Sequence, residues 1–179
     1  MLKKILCVLL GLIGLVAVVN YAAFSPDMEC RAELTTEVEP ARLLAVAQDL
    51  RTWEDWSPWS KSKSGDESVQ FTFEGEPGSG MKWNWADGKE LGTGTMTITR
   101  VAADALDYHI EMTAPMKMAM DGGVTFAPGE GGTAMTWWSK SHNDFPLIGR
   151  MMSQMMKGSI EADFLQALEG LAAHAKQGS

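Results

Sequence analysis

The residues in this chain that could carry acid–base or nucleophilic chemistry are few and scattered. Its three histidines stand at His109, His142 and His174. No Gly-x-Ser-x-Gly, His-Glu-x-x-His or Cys–His pattern sets a nucleophile beside a base and an orienting group. Glu54, Asp55 and Asp144 fall at expected turns and helix ends, where carboxylates ordinarily serve as caps. His109 and Glu111 alternate with apolar neighbours, so they read as a solvated strand face rather than a catalytic or metal pair. Cys7 and Cys30 have no metal spacing, and one domain offers them no sensible bridge. Met116, Met118 and Met120 put three thioethers on one face, but no exposed methionine-rich loop accompanies them, and a copper site is not expected. The expectation is no catalytic residue, no metal and no cofactor.

What the chain concentrates instead is apolar, polarizable surface. It holds seven tryptophans and thirteen methionines in 179 residues. Three of the tryptophans, Trp53, Trp56 and Trp59, recur at every third position, close to one helical turn, until Pro58 forces Ser57 out of the helical region. Such rings each bury roughly 150–250 Å² when packed, so they must line a core, a pocket or a contact surface. Phe71 with Phe73, and Trp83 with Trp85, are further pairs at strand spacing. In Leu106–Met112 the apolar face carries Leu106, Tyr108, Ile110 and Met112.

The elements that must position these residues follow from the periodicity. Glu39-Pro40 opens a short helix whose stripe is Leu43, Leu44, Ala47 and Leu50. A strand covers 29–38, and six more follow, divided at 75–80, 86–89, 103–104, 121–123 and 128–132. The glycines there read as hairpin turns, because none stands between a strand and a helix as a phosphate-binding loop requires. Short connections imply an antiparallel meander. After Phe145-Pro146, residues Ile148, Met152, Met156, Ile160, Phe164, Leu168 and Leu171 form one stripe of a long helix, with Gly158 as a candidate break.

The segment Asp49-Leu50-Arg51-Thr52-Trp53-Glu54-Asp55-Trp56-Ser57-Pro58-Trp59, with the strand order and the C-terminal helix, resembles the polyketide cyclase/dehydrase-like proteins of the SRPBCC (START-like) superfamily over about residues 30–175. The resemblance implies an α+β helix-grip fold, a curved antiparallel sheet wrapped around the long C-terminal helix. It leaves the ligand open, since one fold hosts many functions.

Upstream, Met1-Leu2-Lys3-Lys4 precedes an uncharged run from Ile5 to Phe24. Twenty helical residues span about 30 Å, the hydrocarbon thickness of a bilayer. Tyr21 and Asn20 occupy positions where signal cleavage wants small residues, so an uncleaved anchor is expected over a signal peptide. Residues 1–26 are then a single transmembrane helix and residues 27–179 the START-like domain. Lys3 and Lys4 against Asp27 and Glu29 put the N-terminus in the cytoplasm and the domain outside it, tethered to the cell membrane. A formal net charge of −8 excludes nucleic acid as a natural partner.

The expected function is binding of a hydrophobic small molecule or lipid between sheet and C-terminal helix. Trp53, Trp56, Trp59, Phe71, Phe73, Trp83, Trp85 and Tyr108 are the candidate wall and rim, with Met152 and Met156 on the helix side. A cyclase/dehydrase-like enzyme and a ligand-free interaction scaffold are the alternatives. A dry cavity of at least about 300 Å³ separates binder from scaffold, and convergent polar groups inside it separate enzyme from carrier.

Overall fold

The computed structural model describes residues 2–142 and 148–177; Asp144 and the Phe145-Pro146 pair lie outside them. The chain begins with helix α1 (Leu2–Ala23), whose apolar side chains are almost all exposed. Lys3–Ala23 has the length and composition of a membrane span, a property that N-terminal signal sequences share.

Strand β1 (Asp27–Thr36) follows, then α2 (Pro40–Ala47), which starts with Pro40 in its first turn as the sequence suggests. A 3₁₀ turn over Leu50–Thr52 leads into α3 (Trp53–Trp56), and Ser57 adopts an extended conformation (φ −75°, ψ 147°) directly before Pro58. The short α4 (Lys61–Ser64) occupies what reads as loop in the sequence. Strands β2 (Gln70–Glu74), β3 (Lys82–Ala86), β4 (Thr93–Ala102), β5 (Ala105–Ala114), β6 (Met118–Gly129) and β7 (Gly132–His142) complete one antiparallel sheet, and α5 (Gly149–Gln177) closes the chain. The sheet order is β1-β7-β6-β5-β4-β3-β2. The chain is therefore α+β, with a curved antiparallel sheet against a long C-terminal helix.

Two expectations are corrected. Asp121-Gly122-Gly123 is not a turn but the middle of β6, where Gly122 faces Tyr108 across the pairing. A Cβ on Gly122 would come within 2.5 Å of the Tyr108 ring, so glycine is there to admit an aromatic neighbour. The β5–β6 turn falls at 115–117 instead, which leaves Met118 and Met120 on β6 and Met116 exposed in the turn. The second correction concerns Gly158, which lies within a continuous α5.

The second half of α5 buries Phe164, Ala167, Leu168, Leu171 and Ala175 against the concave face of the sheet. At Gly170 the helix touches α3 so closely that a Cβ would lie 2.3 Å from the Trp56 carbonyl oxygen. The first half of α5 is different: Met152, Met155 and Met156 are exposed. There the helix meets the end of α1, where the backbone N–H of Met151 donates to Asn20 Oδ1 and the Arg150 guanidinium lies 4.2 Å from the centre of the Tyr21 ring.

Candidate ligand-binding cavity

Between sheet and helix lies a cavity of ≈ 240 Å³, open on one side. Its floor comes from alternating residues of the middle strands: Trp83 and Trp85 of β3, Met96 of β4, Tyr108, Ile110 and Met112 of β5, and Met120 of β6. Period-two alternation puts these on one face while His109 and Glu111 point to the other. Ile160, Asp163 and Phe164 of α5 form the roof, and Trp59, Phe71 and the Glu90–Leu91 turn form the sides.

Of the residues expected from the sequence, Trp59, Phe71, Trp83, Trp85 and Tyr108 line this cavity. Trp53 and Trp56 do not: they are fully buried in the core beneath it. Their indole N–H groups are satisfied locally, Trp53 by the Ala47 carbonyl at 2.9 Å and Trp56 by Thr52 Oγ1 at 3.2 Å. Phe73 stacks on Trp83 with ring centres 6.1 Å apart rather than reaching the cavity. Met152 and Met156 are also absent from its wall, because the helix roof begins only at Ile160, one turn after Met156.

Several lining residues are not among the candidates that the sequence puts forward for the site. Ile110, Met112, Met120, Ile160 and Phe164 sit on stripes that the periodicity shows, so their signal was present without a reason to prefer them. Glu90 and Leu91 gave no signal. They reach the cavity because Asp66 Oδ2 accepts both their backbone N–H groups, at 2.8 and 3.1 Å. Ser68 donates to Asp66 Oδ1 at 2.6 Å, the largest cause of a carboxyl pKa lowered to about 2. Trp85 adds a further tie, its Nε1 donating to the Leu91 carbonyl at 3.1 Å.

The polar chemistry available inside is small. The Tyr108 hydroxyl accepts the Trp137 indole N–H at 2.8 Å, and burial raises its pKa far above the ordinary phenol value. Burial likewise raises the Asp163 carboxyl. The indole N–H of Trp83 is buried without a partner. Among the described residues no group of histidine, cysteine and carboxylate side chains is arranged to hold a metal ion. Glu54 and Asp55 are outside the cavity wall.

Comparison with known proteins agrees with this architecture. A family model described as polyketide cyclase / dehydrase and lipid transport matches residues 29–176. No curated protein matches the chain at a significant level. Among solved structures, the di-domain aromatase/cyclase StfQ from the steffimycin biosynthetic pathway superposes with a TM-score of 0.64 at 11% identity, over 84% of this chain and 51% of that one. Protein CV1439 from Chromobacterium violaceum gives 0.57 at 15% identity, over 82% and 96%. Ara h 8.0201 gives 0.58 at 14% identity, over 84% and 99%. At these identities the likeness concerns the fold alone. With its helix-grip fold and a family match over nearly all residues after the N-terminal helix, this chain belongs to the polyketide cyclase/dehydrase and lipid transport family of SRPBCC (START-like) proteins.

Proposed function

We propose that this protein is a membrane-tethered carrier that binds a neutral, largely apolar small molecule or lipid segment in the cavity between sheet and α5. The observation that carries the reading is the cavity itself, an aromatic and thioether-lined space of ≈ 240 Å³ between sheet and helix. An apolar cavity of about 150 Å³ accommodates benzene, so this one has room for roughly a two-ring molecule or a short stretch of acyl chain. That is somewhat below the about 300 Å³ at which typical ligand sites begin. Met96, Met112 and Met120 are the flexible walls that can yield to a larger guest. Glu90 and Asp163 are the charged groups on the lining, and both disfavour an anionic guest. Helix α1 serves as an uncleaved anchor with its lysines in the cytoplasm and the domain outside.

The test is binding of N-phenyl-1-naphthylamine, a neutral apolar fluorophore, by the full chain in lipid nanodiscs, corrected for empty nanodiscs. Saturable binding at low stoichiometry is expected, weakened in Met112→Trp, whose larger ring takes up part of the cavity. Equal binding by both proteins would remove the cavity as the site. An enzymatic reading has one observation in favour, the raised Asp163 carboxyl against the cavity. Among the described residues of the wall no histidine, lysine or cysteine stands with it, and binding is the better-supported reading.

A further inference from the structure

The exposed methionines of α5 are not spread over the molecule but gathered at one end of it, and the strand register shows which end. Asp27, four residues after Ala23 at the end of α1, pairs with His142; Ser141 pairs with Met120, and Met120 with Ile110. The first rungs of the sheet next to α1 are thus also the rungs that line the cavity. The β5–β6 turn, with Met116 and Lys117, projects from that same end, and the β4–β5 turn, with Asp104, from the opposite one.

The start of α5 is fixed to α1 and to the first residue of β1 at this end. Asn20 Oδ1 accepts the Met151 N–H at 3.1 Å, Arg150 Nη1 donates to the Tyr21 carbonyl at 3.3 Å, and Gln154 Nε2 donates to the Asp27 carbonyl at 3.2 Å. Tyr21 stands at the end of the apolar helix, the level where aromatic rings mark a membrane–water interface. Beside it Met152 is 45%, Met155 75% and Met156 55% exposed, and Met116 is 44% exposed in the neighbouring turn.

Cations and carboxylates both stand at this end. Arg150 and Lys117 stand here, and Lys157 lies 3.7 Å from Glu161, while Asp27, Glu29 and Asp121 are on the strands of the same end. A methionine-rich face continuous with the end of the apolar helix suits a lipid surface, where thioethers enter the acyl boundary.

We propose that this face, formed by the first turns of α5 and the β5–β6 turn, rests on the outer surface of the bilayer that holds α1, so that the cavity opens beside lipid. The proposal rests on the reading of α1 as an anchor. Met156 precedes Ile160 of the cavity roof by one helical turn on the same face. From Met152 to Ile160 the helix covers about 12 Å, so an apolar guest leaving the bilayer crosses a short track of methionine before it reaches the cavity.

The experiment uses the full chain with Cys7→Ser, in nanodiscs of phosphatidylcholine and phosphatidylglycerol, spin-labelled in turn at Met155→Cys, Met116→Cys, Asp104→Cys and Val8→Cys. All four positions are exposed, so none of the substitutions opens the core. Collision with oxygen, which partitions into lipid, is compared with collision with a water-soluble nickel chelate. Docking gives labels at Met155 and Met116 an oxygen-to-nickel ratio several-fold above that at Asp104. A lipid-like Val8 label with Met155 and Met116 as aqueous as Asp104 overturns the docking face and leaves the anchor standing. An aqueous Val8 label overturns both. Aqueous Met155 and Met116 labels that become shielded only in native membranes assign the face to a protein partner, and this too overturns the proposal.

Discussion

The indole N–H of Trp137 donates to the hydroxyl of Tyr108 at 2.8 Å, in a part of the core where both side chains are fully buried. The pair ties β7 to β5 across β6, above the floor that Gly122 leaves open for the Tyr108 ring. It also gives Tyr108 one face in the core and one on the cavity.

Tyr108→Phe keeps the ring but removes the acceptor, so the Trp137 N–H is left buried and unpaired. A loss of about 1–3 kcal/mol is expected, the usual cost of orphaning a buried polar group. Urea unfolding of the variant against the parent measures it. An unchanged midpoint and slope would show that the hydrogen bond contributes nothing net.

Asp66 makes a second prediction, on acid stability. Donation from the Ser68 hydroxyl, then from the backbone N–H groups of Glu90, Leu91 and Ser68, holds its carboxyl at about 2, below the ordinary 3.8. A lowered folded pKa gives stability that is present above the unfolded value and lost as pH falls through the folded one. The advantage of the parent over Asp66→Asn should therefore stand at neutral pH and vanish between about pH 4 and pH 2. Hydrogen exchange at Glu90 and Leu91 should quicken in the variant, because their N–H groups lose a charged acceptor. Parallel pH–stability curves for the two proteins would refute the assignment.

The two faces of β5 should respond differently to truncation. His109 pairs with Asp121 at 2.6 Å and both are substantially exposed, so His109→Ala should change stability by no more than about 0.5 kcal/mol. Leu106, fully buried on the other face, should cost about 2–5 kcal/mol when replaced by alanine. Thermal unfolding of both variants decides the matter, and equal losses would mean that β5 does not present one wet and one dry face.

The strand and helix periods were legible without coordinates because they are local. Alternation in 106–112 announces a wet and a dry face, the stripe from Ile160 to Leu171 announces a helix laid on apolar surface, and Ser57-Pro58 announces where the tryptophan turn must end. An uncharged run of twenty residues announces a span-length helix for the same reason. Other features depended on what lies opposite in space. Gly122 and Gly123 look like a turn until Tyr108 is seen to need the room on the neighbouring strand. Trp53 and Trp56 share helical spacing with Trp59, yet only Trp59 meets the cavity, because α3 is pressed against Gly170 of α5 and turns its two indoles into the core. Met152 and Met156 belong to the same stripe as Phe164, but the sheet lies under only part of the helix, and a stripe in sequence carries no record of where its cover ends. Leu91 enters the cavity wall through a carboxylate 25 residues away. Local periodicity specifies which faces are apolar; only the closing of sheet on helix decides which of those faces becomes core, which becomes cavity and which remains outside.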